Sequence, residues 1–310
     1  MLLLAPLALA QPPVEEGTLR LADGSRVGLL RAHPAVASRA NPVLLIPDLG
    51  LAPRVFDDRG RGLLPALVSA GREVVVLDWR RTRWAGGLSS LVSQLLPAAI
   101  LATSGPDQRQ VDVVAHGYAG SLLLAAAAEE SRGRVGRVVA LSTPVELGVP
   151  SPLLEQVLAS GGALRSLALQ PEGARTLELL LADGGNYPRG FWDRIRRAGL
   201  VDLPPRTAVE LLAWMRQGTL TLGPHDTLAS RLSHYDRPTL LFLPLGDNLA
   251  HPEHAAPLRE LAPRAAIQVR QLSRLDLLRE DYAHLSMLQG RDAPRDVWAP
   301  ALRFLSGSAS

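Results

Sequence analysis

The chemistry open to this chain of 310 residues is limited by two residue types that it lacks. All 33 basic residues are Arg, which excludes a phosphate-loop lysine and a Schiff-base lysine. There is no Cys, so disulfides, thiolate metal sites and a cysteine nucleophile are excluded as well. His251 and His254 lie three residues apart in a Pro-containing loop, a spacing that is only a weak metal signal. We therefore expect no metal and no cofactor.

One segment joins a buried strand to an apolar helix through a turn of small residues. It reads VDVVAHGYAGSLLL over residues 111–124, with Gly117 in the turn. A turn of this kind is strained for any residue that has a side chain. Glycine adopts the required positive φ without strain.

Other patterns predict the elements that must position this turn. Short apolar runs predict buried parallel strands at residues 43–46, 74–77, 111–115, 138–141 and 239–243. Helical patterns lie between and after them, at residues 63–70, 88–102, 120–130, 257–261 and 297–305. Residues 17–32 alternate around an Asp-Gly turn and predict an antiparallel hairpin at the edge. This order of strands and helices predicts an α/β fold with a mostly parallel, doubly wound sheet.

A long helical stretch interrupts the alternation and sets the predicted domain organisation. Residues 148–233 lack a strand run and predict a helical cap insertion over the carboxyl ends of the strands, where ligands bind. The predicted segments are an apolar N-terminal segment at 1–16, the first half of the core at 17–147, the cap at 148–233, the second half of the core at 234–305, and a flexible tail at 306–310.

The N-terminal segment leaves the cellular location open. Residues 1–10 resemble the apolar core of a signal peptide, but they are short and have no positively charged start. A cytoplasmic and an exported protein are both compatible with this pattern. No later run is long enough for a transmembrane helix, and we expect none.

The charges give no indication of a nucleic-acid partner. The net charge is +3, and Arg and acidic residues are interspersed without aromatic residues between the basic runs. We interpret the short arginine clusters as solvated faces of the protein; their members are Arg80, Arg81 and Arg83, and Arg194, Arg196 and Arg197.

The segment at 111–124 resembles the nucleophile elbow of the α/β-hydrolase family, whose usual form is a strand, G-x-S-x-G and a helix. In this register Ala115 and Ala119 take the places of the two glycines, and Gly117 takes the place of the serine. The segment IPDLG at 46–50 resembles the family's H-G-x-G oxyanion loop, with Pro47-Asp48 in place of His-Gly.

Three further segments extend the resemblance over about residues 40–305. Asp78-Trp79-Arg80 resembles the D-x-R segment at the end of a strand. LFLPLGDNLA at 241–250 resembles the loop of the catalytic acid, and DYAHLSMLQG at 281–290 resembles the histidine loop. An acid followed by a histidine, both downstream of the elbow, is the family's chain order. The sequence is most similar to bacterial lipase-like and polyhydroxyalkanoate-synthase-like members.

The resemblance implies a site with a retained acid and base but no nucleophile. Asp247 would be the acid, His284 the base, and Gly117 the position from which the serine is lost. The oxyanion and pocket residues would be Leu49, Tyr118 and Asp48. A carboxylate at the oxyanion loop would repel a developing oxyanion, so two parts of the machinery are altered together.

Each of these assignments has a structural alternative. Gly117 could be a tight turn and nothing more, Asp247 a turn residue after a strand, and His284 a packed histidine. We interpret His116 as a packing residue of the elbow. The remaining histidines are interpreted as surface or loop residues: His33, His225, His234, His251 and His254.

Three functions follow from this pattern. Deleting the serine of a catalytic triad lowers turnover by about 10⁶-fold, or about 8 kcal/mol. The favoured interpretation is a non-catalytic relative of lipases and esterases with an apolar pocket for a small hydrophobic or ester-like ligand. The alternatives are a weak hydrolase in which His284 and Asp247 activate a water, and a protein-interaction scaffold. The oligomeric state cannot be read from the sequence.

Overall fold

The computed structural model describes residues 14–307, apart from positions 37, 85, 131, 132, 149, 151, 183 and 184. Most of the predicted N-terminal segment and the last three residues of the predicted tail lie outside this part. Residues 14–16 of that predicted segment form the start of the first strand. Within the described residues, no helix is both long and apolar enough to cross a bilayer.

Ten strands within the described residues form one large sheet and one small hairpin. In chain order they are β1 (Val14–Arg20), β2 (Arg26–Ala32), β3 (Val43–Ile46), β4 (Val74–Arg83), β5 (Val111–His116), β6 (Val135–Leu141), β7 (Thr221–Gly223), β8 (Asp226–Thr227), β9 (Thr239–Pro244) and β10 (Ile267–Leu272). The large sheet has the order β1-β2-β4-β3-β5-β6-β9-β10, and β7 pairs with β8. The pairs β1/β2 and β2/β4 are antiparallel, and the other pairs of the large sheet are parallel.

The burial of the strands follows their place in the sheet. Every residue of β3, β5 and β9 is buried, because helices cover both faces of a parallel sheet. The edge strand β10 alternates between exposed and partly buried residues and lacks the apolar run of the central strands, which is why the sequence patterns miss it. The predicted hairpin at 17–32 and the five predicted parallel strands are confirmed.

Fourteen α-helices connect and cover the strands in the described part of the chain. They are α1 (Leu63–Ser69), α2 (Leu88–Ser90), α3 (Leu96–Ser104), α4 (Gly117–Ala128), α5 (Pro152–Ala159), α6 (Leu164–Leu169), α7 (Pro171–Leu181), α8 (Phe191–Ala198), α9 (Pro205–Gln217), α10 (Leu228–Leu232), α11 (Pro252–Ala255), α12 (Leu258–Leu261), α13 (Ser286–Gln289) and α14 (Ala299–Leu305). A π-helical turn, Leu91–Leu95, joins α2 to α3, so the predicted helix at 88–102 is continuous.

The helices between β6 and β9 are attached to the sheet through the loop that follows β3. The N–H of Ala52 donates to the carbonyl of Gly199 at 2.8 Å, and the N–H of Val201 donates to the carbonyl of Gly50 at 2.8 Å. The prediction that 148–233 has no strand is wrong at β7 and β8. These strands have three and two residues, too few to give an apolar run in the sequence.

Candidate functional site

The site lies where the central strands end. Asp48 follows β3, Gly117 follows β5, and Asp247 follows β9. His284 lies in the segment that leads into α13. Since parallel strands direct their carboxyl ends to one edge of a sheet, these side chains meet although up to 236 residues separate them in sequence.

Gly117 forms the sharp turn between β5 and α4. Its φ is +59°, in the left-handed region that favours glycine. A Cβ built at this position would overlap the carboxylate of Asp48. Two features of the position therefore favour glycine: its backbone conformation, and the space that Asp48 occupies.

The Asp48 carboxylate is buried directly above this turn, with 1% of the residue exposed. Its Oδ1 accepts hydrogen bonds from the N–H of Leu49 at 2.7 Å and from the N–H of Ala119 at 3.1 Å. Its Oδ2 lies 3.1 Å from Nε2 of His284. Three donors thus surround the carboxylate and satisfy its oxygens without contact with water.

Asp247 holds the other side of the His284 ring. Its Oδ2 lies 2.8 Å from Nδ1 of His284, and its Oδ1 accepts from the N–H groups of Leu249 at 2.8 Å and Ala250 at 2.9 Å. The hydroxyl of Ser142 also donates to Oδ2 of Asp247. The acid is therefore fixed by hydrogen bonds on both of its oxygens.

The ring of His284 lies between two carboxylates. Burial alone would lower its pKa, but the charges and hydrogen bonds of Asp247 and Asp48 outweigh it and raise the pKa to about 10. At neutral pH both ring nitrogens carry a proton, so Nδ1 donates to Asp247 and Nε2 donates to Asp48. A general base needs a free lone pair, and the ring in this state offers none.

His116 packs against this charged group as a neutral ring. Its centroid lies 4.1 Å from that of His284, and its Nε2 donates to the carbonyl of His284 at 3.1 Å. Burial, followed by the charge of His284, lowers the pKa of His116 well below its usual value. The ring fills space beside the ion group, by which we mean Asp48, His284 and Asp247, and adds no charge to it.

An apolar cavity of about 50 Å³ adjoins Asp48. Leu49 and Tyr118 line it on the core side, and leucines of α5, α6, α7 and α9, together with Val157, line it on the other. The hydroxyl of Tyr118 donates to the carbonyl of Leu249 at 2.8 Å. Small-molecule pockets usually measure about 300 to 1,000 Å³, so leucine side chains fill most of the space here.

The structure brings together four of the six predicted site residues as direct contacts, namely Gly117, Asp48, Asp247 and His284. Leu49 supplies a backbone N–H, and Tyr118 lies in the wall of the cavity. Sequence reasoning missed Ser142, although its place directly after β6 was a usable signal. Ser142 has a φ of +48°, which few serines adopt.

We expect Ser142→Ala to lower the free energy of unfolding by about 1 to 3 kcal/mol, because a buried carboxylate loses one of its donors. Urea unfolding measures the change. Ser93→Ala is the matched control, since that exposed hydroxyl donates only to a carbonyl of its own helix. A Ser142→Ala protein as stable as the control variant would show that the hydroxyl does not support Asp247.

Comparisons with known proteins place the fold. No protein-family profile matches the sequence, and no curated protein matches it significantly. Many solved structures are similar. Bromoperoxidase from Bacillus anthracis has a TM-score of 0.63 and 16% identity, over 94% of this chain and 100% of that one. The enol-lactonase from Burkholderia xenovorans has a TM-score of 0.64 and 15% identity, over 94% and 100%.

A thermophilic esterase from Thermogutta terrifontis gives the same picture, with a TM-score of 0.59 and 16% identity over 94% of this chain and 98% of that one. Identities this low carry information about the fold and not about the reaction. Together with the strand order and the turn at Gly117, these likenesses show that the chain has the α/β-hydrolase fold.

Proposed function

We propose that this protein is a non-catalytic relative of the lipases and esterases of its fold, and that Asp48 closes its former active site. One observation carries the proposal. The Asp48 carboxylate occupies the space that a side chain at Gly117 would need, and it accepts the hydrogen bond from His284 that a nucleophile would share. Gly117 on this proposal stands where a serine nucleophile has been lost.

The same carboxylate would remove the support for an oxyanion. In enzymes of this fold the hole is made partly by an N–H of the loop after β3. Here the N–H of Leu49 from that loop already donates to Oδ1 of Asp48. An oxyanion at this place would meet a negative charge instead of a free donor, which raises the barrier to acyl transfer.

The geometry does not favour the alternative in which His284 activates a water. That route needs a neutral imidazole with Nε2 facing the water. In this protein Nε2 faces Asp48, and the raised pKa keeps the proton on the ring. Asp247 and His284 are thus retained in place, and on this proposal they serve as parts of a closed ion group.

Two non-catalytic roles are compatible with the closed site. A lining made almost entirely of leucines supports the binding of a small hydrophobic or ester-like ligand under α5 to α9, which would act as the cap. Such a ligand has to displace side chains, because the cavity measures only about 50 Å³. The small volume supports a second candidate, an interaction scaffold that binds through its surface.

We expect no labelling by a fluorophosphonate probe and no hydrolysis of p-nitrophenyl butyrate above the rate of buffer. Mass spectrometry of the intact chain and release of p-nitrophenol measure these outcomes, with an active serine esterase as positive control. Serine labelling would overturn the proposal. Turnover without labelling that disappears in His284→Ala would instead establish the water route. Thermal stabilisation by 1-decanol would favour the ligand role over the scaffold.

A further inference from the structure

A second cavity, of about 560 Å³, is lined in part by the segment 198–204, and it shares Leu200 and Leu203 with the leucine-lined cavity. Four arginines line it, namely Arg80, Arg83, Arg165 and Arg197, and we name it the arginine cleft. Its volume lies within the range of small-molecule sites. It is about ten times larger than the cavity beside Asp48.

The cleft collects arginines from distant parts of the chain. Arg80 and Arg83 lie in the last four residues of β4. Arg165 lies on α6, and Arg197 lies near the end of α8. The interpretation of the arginine clusters as solvated faces is therefore incomplete, since members of both clusters face one concave surface. Asp202 is the one acidic residue in the lining, and its Oδ1 accepts from the backbone N–H of Arg165.

Two of the four guanidinium groups are available to a ligand. Arg80 is paired with Asp78, and Arg83 donates to backbone carbonyls. The side chains of Arg165 and Arg197 are exposed and have no hydrogen bond or ion pair with any residue that the structure describes. Free guanidinium groups bind carboxylates and phosphates with two parallel hydrogen bonds, which lysine cannot match.

An aromatic surface lies beside these charges. Trp79 and Trp84 both line the cleft, with ring centroids 5.5 Å apart and an angle of 47° between the rings. The indole N–H of Trp79 donates to the carbonyl of Pro47 at 2.9 Å. The indole nitrogen of Trp84 is buried and has no acceptor within the described part of the protein. The ring of Trp84, rather than its buried nitrogen, is what this side chain offers to a ligand, and an aromatic face favours a flat or apolar body.

The wall of the cleft is held in place before any ligand binds. Its segment 198–204 includes Gly199 and Val201, whose backbone bonds to Ala52 and Gly50 attach it to the loop after β3. Leu200 lies in the same segment and forms a bridge with Leu51. A fixed wall reduces the entropy lost on binding.

We propose that the arginine cleft binds a small organic anion, with a carboxylate or phosphate group on Arg165 and Arg197 and a flat or apolar body against Trp84. This site is separate from Asp48 and His284, and the inference does not depend on the loss of catalysis. The cleft's size favours a single small molecule, and its open guanidinium groups favour one or two negative charges.

Isothermal titration calorimetry of the full chain tests the site with four compounds. They are 2-naphthyl phosphate, 2-naphthoate, inorganic phosphate and the neutral 2-naphthol. We expect at least one of the two naphthyl anions to bind saturably and more tightly than both inorganic phosphate and 2-naphthol. The stronger of the two naphthyl anions identifies the preferred acidic group. Saturable binding of neither anion, or equal binding of 2-naphthol, would overturn the proposal.

Variants locate the site. We expect Arg165→Ala with Arg197→Ala to weaken binding of the preferred anion by about tenfold or more, because charge-assisted hydrogen bonds are lost. The double variant Arg175→Ala with Arg264→Ala removes two other exposed arginines and should change affinity less than about twofold. Trp84→Ala should also weaken binding, since it removes the aromatic face against which the flat body would lie. Equal effects of the two arginine pairs would show that only net charge matters and would overturn the proposal.

Discussion

The double variant Asp48→Gly with Gly117→Ser is expected to hydrolyse p-nitrophenyl butyrate, and Gly117→Ser alone is not. In the single variant the serine side chain meets the Asp48 carboxylate, which occupies the same space. The single variant should therefore be destabilised and remain inactive. Removing Asp48 vacates that space, frees the N–H of Leu49 and leaves Nε2 of His284 for the new hydroxyl. Gly at position 48 also matches the H-G-x-G pattern of the oxyanion loop.

The loss of one carboxylate would also restore the base. With Asp48 absent, Asp247 is the one remaining acid against His284, so the pKa of His284 falls towards neutrality. A serine at a φ near +59° carries backbone strain of about 1 to 3 kcal/mol, which nucleophile elbows tolerate. We expect turnover about 10² to 10³-fold above the unchanged protein, below the roughly 10⁶-fold effect of a complete triad, because the cavity is small.

Three controls separate catalysis from contamination. Asp48→Gly alone opens the space but supplies no nucleophile. Asp48→Asn with Gly117→Ser keeps the steric block while removing the charge. The addition of His284→Ala to the active double variant should return turnover to background, and fluorophosphonate labelling should follow turnover across the series. Equal rates in all these proteins would show that the retained acid and histidine cannot support a nucleophile at position 117.

The sequence contains most of the fold because burial on both faces leaves a clear pattern. The runs at β3, β5 and β9 consist largely of buried residues and are recognisable without a structure. The sequence patterns do not predict β10, because an edge strand has solvent on part of its surface and needs no continuous apolar run. The patterns do not predict the hairpin of β7 and β8 either, because its strands are too short to show an alternation of apolar and polar residues.

Only part of the site can be predicted from the sequence. The order of Asp48, Gly117, Asp247 and His284 along the chain shows which side chains meet at the strand ends. It does not show that Asp48 turns into the elbow and accepts from Ala119, since that depends on the path of the loop after β3. The resemblance presents Asp48 as a repelling neighbour of an oxyanion, whereas in the structure it occupies the site itself.

The stability of this protein is expected to fall as the pH rises from about 7 to about 10, and His284 is the cause. Its pKa is raised from 6.5 to about 10 in the folded state. A group with a raised folded pKa contributes its full stabilisation below the unfolded pKa and loses it as the pH approaches the folded one. Each pKa unit is worth about 1.4 kcal/mol, so the decline amounts to a few kcal/mol.

The composition makes this decline easy to attribute. The chain has no Lys and no Cys, the residues whose ordinary pKa values lie between 8 and 11 alongside Tyr. Burial raises the pKa of Tyr118, Tyr235 and Tyr282 above the usual value, so these three tyrosines titrate above the window. Few other groups change charge between pH 7 and 10, and most of the slope belongs to His284.

Asp48→Asn tests the origin of the slope, because asparagine keeps the shape of the side chain and removes its charge. Its amide would donate to Nε2 of His284, which favours the neutral ring and lowers its pKa, while Asp247 still raises it. The decline in the free energy of unfolding between pH 7 and 10 should therefore be smaller than in the unchanged protein. Asp112→Asn is the matched control, because it removes a buried carboxylate that pairs with Arg72 and not with His284. That variant should be less stable at every pH and keep the slope of the unchanged protein.

Urea unfolding at several pH values measures the slope, and NMR of the ring nitrogens reports the protonation of His284 directly. An alkaline slope as steep in Asp48→Asn as in the unchanged protein would mean that the proton on His284 does not depend on Asp48, and it would contradict the proposal that Asp48 closes the site.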